Sequence, residues 1–187
     1  MMKPAFTFAE KPYNRLQMVD LLDESDEMKW KIFDYHNQKF VLQNIVDDRP
    51  FTKEGHAGFL QKLPTLARKH YIVYFDGKPL GKFGWELVEA EKRLDAPGYY
   101  LFHEKDLMGG LGLLMVSFFY HYAFDVLKVR SIHHEAKRSN KNSVRLSKHF
   151  GNRVVREDDT LVYFECTAEA YQAHKDDVDA LLREYFS

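Results

Sequence analysis

Between Leu107 and Phe124 the chain runs for eighteen residues without an Asp, Glu, Lys or Arg, and three of its ten glycines, Gly109, Gly110 and Gly112, open that run. No other feature restricts the fold as strongly. A stretch this long and apolar either crosses a bilayer or is buried on nearly all sides inside a protein. The glycines, with Ser117, Tyr120, His121 and Tyr122, weaken it as a hydrocarbon-soluble span. Leu111, Leu114, Met115, Phe118 and Tyr122 share one helical face and have apolar neighbours on the other, so the run reads as a helix from about Gly110 to Leu127 buried against a sheet. Enclosing such a helix takes a large core. The chain supplies one: of 187 residues 45% are hydrophobic, including 15 Phe, 11 Tyr and 2 Trp. A chain of this length buries about 70% of its unfolded surface. It is read as a single domain over 1–187, with a core from about 5 to 166.

The elements around that helix follow from local pattern. Residues 5–8 suit a first strand, and Met18 to Phe33 fits helical turns. Thr52 is placed to cap a helix that Pro64 stops. Residues 71–75 and Leu80 to Leu87 read as strands joined by Asp76-Gly77, a strong hairpin signal. Pro97-Gly98 breaks the chain before a fourth strand at 99–103. A strand at 130–135 follows the buried helix, and Ser139 or Asn140 caps a further helix that ends at Phe150 with Gly151 beyond it. Val154 to Cys166 reads as two closing strands. Residues 168–185 form an amphipathic helix with Tyr171, Val178, Leu181, Leu182 and Tyr185 on one face, capped by Thr167. The sum is a mixed α/β (α+β) chain with one strand–helix–strand crossover over 99–136.

Charge and cysteine exclude whole classes of function. Lys and Arg number 27 against 28 Asp and Glu, a formal net charge of -1, so neither duplex DNA nor an anionic membrane is an expected partner. One cysteine, Cys166, allows no intramolecular disulfide and no Cys-rich zinc site. His133 and His134 are adjacent on a strand and point to opposite faces, while His121 and His149 stand alone, so no metal is expected. The opening residues contain no apolar run, which predicts no secretory leader and a cytoplasmic setting.

The glycines carry the chemistry. Between a strand and a helix they let backbone approach a ligand closely, and a helix N-terminus offers free N–H groups and the positive end of the dipole. The spacing matches neither Gly-x-x-x-x-Gly-Lys-[Ser/Thr] nor a dinucleotide fingerprint, since Met115 stands where the latter wants glycine. A glycine-eased turn with no ligand is the plainer alternative.

Two stretches carry a resemblance. Leu107-Met108-Gly109-Gly110-Leu111-Gly112, then a helix ending Tyr122-Ala123-Phe124, resembles the acetyl-CoA pyrophosphate loop of the GNAT N-acetyltransferase superfamily, usually [Arg/Gln]-x-x-Gly-x-[Gly/Ala]. Glu135 to Ser143, with Leu146 and Phe150-Gly151, resembles the superfamily's Glu-Val-x-x-x-Asn-x-x-[Ala/Ser]…Gly-Phe region. Ile32 to Asn37, His56 and Tyr122 to Leu127 are similar to the branch acting on amino-sugar nucleotides in pseudaminic acid biosynthesis. Peptide and ribosomal-protein N-terminal acetyltransferases share part of this layout.

The resemblance implies a GNAT-type sheet with flanking helices, acetyl-CoA as cosubstrate, and a small-molecule primary amine as acceptor. An acyl-CoA-binding module without turnover is the non-enzymatic alternative. It implies coenzyme contacts from Phe102, His103, Met108, Gly109, Gly110, Leu111, Gly112, Leu113, Asn140 and Ser143, with a main-chain N–H near Phe102 or His103 facing the oxyanion. Glu135 and His56 are the candidate bases, each with a plainer reading as a surface or strand-end residue. Ser147 stands where the superfamily commonly has an acid tyrosine. Lys137, Arg138, Lys141, Arg145 and Lys148 would meet the coenzyme's 3′-phosphate or form a solvated face. The helix at 168–185 lies beyond the usual core and could seat a second copy.

Overall fold

The computed structural model describes residues 6–186, apart from the side chains of residues 96 and 97. The leader reading and the first residue of the strand expected at 5–8 lie outside the described residues. Of that strand, Phe6 makes an isolated bridge to Met18. Seven strands form one sheet in the order β1-β2-β3-β4-β5-β7-β6. They are β1 (Leu16–Asp20), β2 (Lys69–Phe75), β3 (Lys78–Val88), β4 (Arg93–Leu101), β5 (Ser131–Lys137), β6 (Arg153–Glu157) and β7 (Leu161–Thr167). Neighbours are antiparallel except β4 and β5, which are parallel. Asp76 and Gly77 turn the β2–β3 hairpin with φ of 47° and 74°, the left-handed pair a two-residue loop requires.

Two expectations are corrected here. Residues 18–33 are not one helix: β1 ends at Asp20, whose carboxylate accepts the Leu22 N–H at 2.9 Å. Helix α1 (Asp26–His36) starts only at Ser25, whose hydroxyl accepts the Met28 N–H at 3.1 Å. Two capping side chains inside the window outweigh its apolar spacing. Nor does Pro97-Gly98 break the chain, because β4 runs through it. Pairing with β5 has ended at Ala96 and the β3 register shifts between Gly84 and Glu86, so a residue without an N–H costs the sheet little there.

Five more α-helices lie among the described residues: α2 (Lys39–Asn44), α3 (Lys53–Lys62), α4 (Leu111–His121), α5 (Lys141–His149) and α6 (Ala168–Phe186). Thr52 caps α3 by accepting from Gly55 N at 3.0 Å, and Thr167 caps α6 by accepting from Ala170 N at 3.2 Å. Helix α4 is the uncharged run. From Leu114 to Tyr120 no residue is more than 4% exposed, and each large side chain buried there contributes roughly 1.5–3 kcal/mol. Among the described residues no helix is long and apolar enough to cross a membrane.

Helix α4 lies close against the sheet because β3 carries glycine beneath it. A Cβ on Gly81 would fall 2.8 Å from Met115 Sδ. Helices α4 and α6 share one apolar cluster with that face of the sheet, and α1 and α3 share another with the opposite face. Tyr171, Val178 and Leu182 of α6 are each 1% exposed in this core. Most of the apolar stripe of α6 is therefore used within the chain.

Candidate active site

The parallel pair sets the site. β4 and β5 are in register only from Arg93↔Ser131 to Ala96↔His134. Beyond that, β4 stays with β3 as far as Leu101 and β5 stays with β7 as far as Lys137, so the two strands part and a wedge opens between them. Beyond Ala96 the edge of β4 facing the wedge has no strand partner among the described residues. Phe102 is not the free donor there, because its N–H is given to Leu80 O at 2.9 Å. Alternation then turns the N–H groups of Leu101 and His103 toward the wedge.

The glycine loop lies between the end of β4 and α4. Gly109 and Gly110 have φ of 82° and 80°, which any other L-residue adopts only with strain. Their turn delivers the chain into α4, whose first ladder bond runs from Leu114 N to Gly110 O at 2.9 Å. No side chain caps this helix. The N–H groups of Leu111, Gly112 and Leu113 are thus without helical acceptors, and Met108 beside them is 78% exposed. Three convergent donors and a dipole end fit a diphosphate without needing lysine.

Across the wedge, Asn140 caps α5 by accepting from Ser143 N at 3.1 Å and donates its amide to Asn44 O at 3.1 Å. Lys137 Nζ reaches Asp48 at 2.8 Å and Leu42 O at 3.2 Å, while Gln38 donates to Phe102 O at 2.9 Å. Helix α2 and its flanks therefore tie the two parted strands together. A cavity of about 360 Å³ opens there, lined by Asn37, Lys39, Leu42, Gln43 and Asp48. Sequence reading missed α2, since six residues leave no periodicity to detect. Of the basic cluster, Lys137 pairs with Asp48 and Arg138 with Glu157. Lys141, Arg145 and Lys148 are exposed on α5 and have no carboxylate partner among the described residues.

Glu135 follows the last β5 residue paired with β4. It is exposed and makes no side-chain hydrogen bond or ion pair among the described residues. Ala136 packs toward Val144 of α5, so Glu135 lies on the opposite face, the one covered by α1 and α3. His56 is elsewhere. It is 1% exposed between α1 and α3, its Nε2 donates to Lys29 O at 2.8 Å, and burial lowers its pKa. Trp30, Phe51 and Phe59 surround its ring. No contact joins His56 to Glu135.

Ser147 is 4% exposed, and its hydroxyl donates to Ser143 O at 2.9 Å inside α5. It is not presented to the wedge. The phenol found near α5 comes from β4 instead: Tyr99 lies beside the Ser143 hydroxyl, and burial pushes its pKa up to about 12. A strand tyrosine of this kind has no local signal. His133 contacts Glu165 and His134 contacts Asn152, on opposite faces as expected. Cys166 is fully buried, with its thiol raised to about 12 by burial. Among the described residues no cluster could hold a metal ion.

A mixed sheet parted between two parallel strands, with a glycine turn and an uncapped helix at the opening, is the fold of the GNAT N-acetyltransferases. The solved structures similar to this chain include PseH, an N-acetyltransferase of Campylobacter jejuni, at 19% identity and a TM-score of 0.64 over 82% of this chain and 98% of that one. A GCN5-related N-acetyltransferase from Brucella melitensis matches at 16% identity and a TM-score of 0.72, covering 97% and 87%. Aminoglycoside acetyltransferase AAC(6')-Ib, solved in complex with coenzyme A, matches at 17% identity and 0.69, covering 86% and 99%. No family model matches the chain. No curated protein matches it by sequence.

Proposed function

We propose that this protein transfers an acetyl group from acetyl-CoA to the primary amine of a small molecule, an amino sugar linked to a nucleotide being the acceptor class favoured. The observation that carries this reading is the wedge between β4 and β5, with the uncapped α4 N-terminus at its mouth. PseH, a structural neighbour, has also been solved with acetyl coenzyme A. In that arrangement the N–H groups of Leu111, Gly112 and Leu113 bind the diphosphate, and Lys141, Arg145 and Lys148 meet the 3′-phosphate. The pantetheine lies along the free edge of β4, where a main-chain N–H at Leu101 or His103 faces the developing oxyanion.

Glu135 takes the ammonium proton, directly or through water, from an amine held about 3–3.5 Å from the thioester carbon. The nitrogen attacks the carbonyl carbon, the adduct's nitrogen gives up its second proton to water, and the intermediate collapses with the C–S bond breaking and the thiolate departing. With its own pKa near 8.5 it needs little help from an acid. The test has two stages. Acetyl-CoA, but not ATP or NAD, should raise the thermal midpoint. Free thiol should then appear with amino-sugar nucleotides and not with peptides. Thiol release with peptides alone would make the chain an N-terminal acetyltransferase, and binding without release an acyl-CoA-binding module.

A further inference from the structure

Lys82 is half-buried in the middle of the sheet and has no carboxylate partner among the described residues. It lies on β3, in register with Ile72 of β2 and Tyr100 of β4. All three point to the face covered by α1 and α3. Its ammonium is 5.9 Å from the ring centroids of both Phe59 and Tyr100. Unpaired charges are rarely left in such places, because desolvation is costly without a partner. Burial, then the neighbouring Arg68, lowers its pKa to about 8, and the two rings are the groups within reach that favour the charge.

The groups around it are also unpartnered. The Tyr100 hydroxyl and His70 Nδ1 are buried polar atoms without a hydrogen bond, and His70 is only 8% exposed. His70 is in register with Gly84, which is in register with Gly98. Lys82, Tyr100 and His70 therefore surround a position with no side chain, at Cβ separations of roughly 5–8 Å between neighbours. A Cβ on Gly98 would meet nothing within 4 Å, so the second glycine of this row also leaves open space. An ammonium, a phenol and a neutral imidazole can all donate, and among the described residues none of the three is paired with a carboxylate.

We propose that this cluster binds an oxyanion, a phosphate or carboxylate, carried by the acceptor at a distance from the amine that Glu135 deprotonates. The inference rests on the acetyltransferase reading and adds to it the residues that recognise the acceptor. From the register, Glu135 is two strands and about three residues from Lys82, roughly 10–15 Å backbone to backbone. Much of that distance is spanned by the lysine side chain and the acceptor itself. Lys82 is thus a specificity residue and not part of the transfer chemistry.

The test compares wild type with Lys82→Met, using glucosamine, glucosamine 6-phosphate, muramic acid and UDP-glucosamine as amines. We expect the wild type to prefer anionic acceptors. Lys82→Met should cut that preference on the order of 10–100-fold through KM, with rates on glucosamine and affinity for acetyl-CoA unchanged. The phosphate-bearing and carboxylate-bearing amines show which oxyanion is read. An unchanged preference, or equal loss on all four amines, overturns the proposal.

A second readout does not need turnover. With coenzyme A saturating, inorganic pyrophosphate should raise the thermal midpoint of the wild type and of a control, Lys78→Met, exposed on the β2–β3 hairpin, but not of Lys82→Met. An equal rise in all three also overturns it. If coenzyme A itself has no effect, the acetyltransferase reading fails, and the pyrophosphate comparison alone still decides this site. Lys82→Met should fold with an unchanged or higher midpoint, since it removes an unpaired charge. Lys82→Gln serves if it does not.

Discussion

Tyr185, near the end of α6, lies against Gly110 of the glycine loop: a Cβ built on Gly110 would fall 2.6 Å from the tyrosine's Cγ. The last turn of the chain thus buttresses the turn that opens α4, and any side chain at 110 meets both positive φ and a ring.

Gly110→Asp should accordingly lose acetyl-CoA binding and also lower stability, by about 1–3 kcal/mol from strain and displacement of Tyr185. Adding Tyr185→Ala removes the collision and should recover part of the stability but none of the binding. Calorimetric titration and thermal melts of the two variants separate the effects. Coenzyme affinity recovered along with stability would take the loop out of the site.

Glu135→Gln should reduce kcat on the order of 10²–10⁴-fold, with the acetyl-CoA KM and the thermal midpoint unchanged, since Glu135 makes no side-chain bond among the described residues. Steady-state kinetics at neutral pH reads this directly. Unimpaired turnover would leave the carboxylate as a solvated strand-end group.

Ser147→Ala should change turnover less than twofold and cost about 1 kcal/mol for the lost bond to Ser143 O. Ser147→Tyr places a ring in a site that is 4% exposed, so it should destabilise by roughly 1–3 kcal/mol and give no rate gain. A faster tyrosine variant would show that an acid at 147 can reach the sulfur after all.

Replacing Lys141, Arg145 and Lys148 together by Gln should raise the KM for acetyl-CoA about tenfold or more while leaving that for 3′-dephospho-acetyl-CoA unchanged. The discrimination against the dephospho form is the quantity to measure. Equal effects on both coenzymes would return these cations to a solvated face.

Acid should destabilise the fold through its buried imidazoles. Burial holds His70 neutral with a pKa of about 3, and His134 at about 4. In the unfolded chain both protonate near 6.5. Between about pH 6.5 and 4 the unfolded state binds the extra protons, so stability present above 6.5 is lost as pH falls, on the order of 1 kcal/mol per pH unit for each group. His70→Gln should flatten the midpoint-versus-pH curve over that window. An unaltered slope would mean His70 titrates normally.

Local chemistry in the sequence determined much of this protein. The uncharged run fixed a buried helix because only a core accommodates it, and Thr52, Asn140 and Thr167 marked helix starts because their oxygens reach N–H groups three residues on. Asp76-Gly77 fixed a hairpin, and Gly109-Gly110 a turn into a helix N-terminus, because both need positive φ. The tertiary structure alone decided everything that depends on which strands meet. It set where β4 and β5 part, and hence that Glu135 stands at the opening while His56 is enclosed between α1 and α3. It also turned Ser147 back onto its own helix and brought Tyr99 to α5. Lys82, Tyr100 and His70 lie on three strands at separations of 12 and 18 residues that carry no shared pattern, and only the register of β2, β3 and β4 places them around one side-chain-free position.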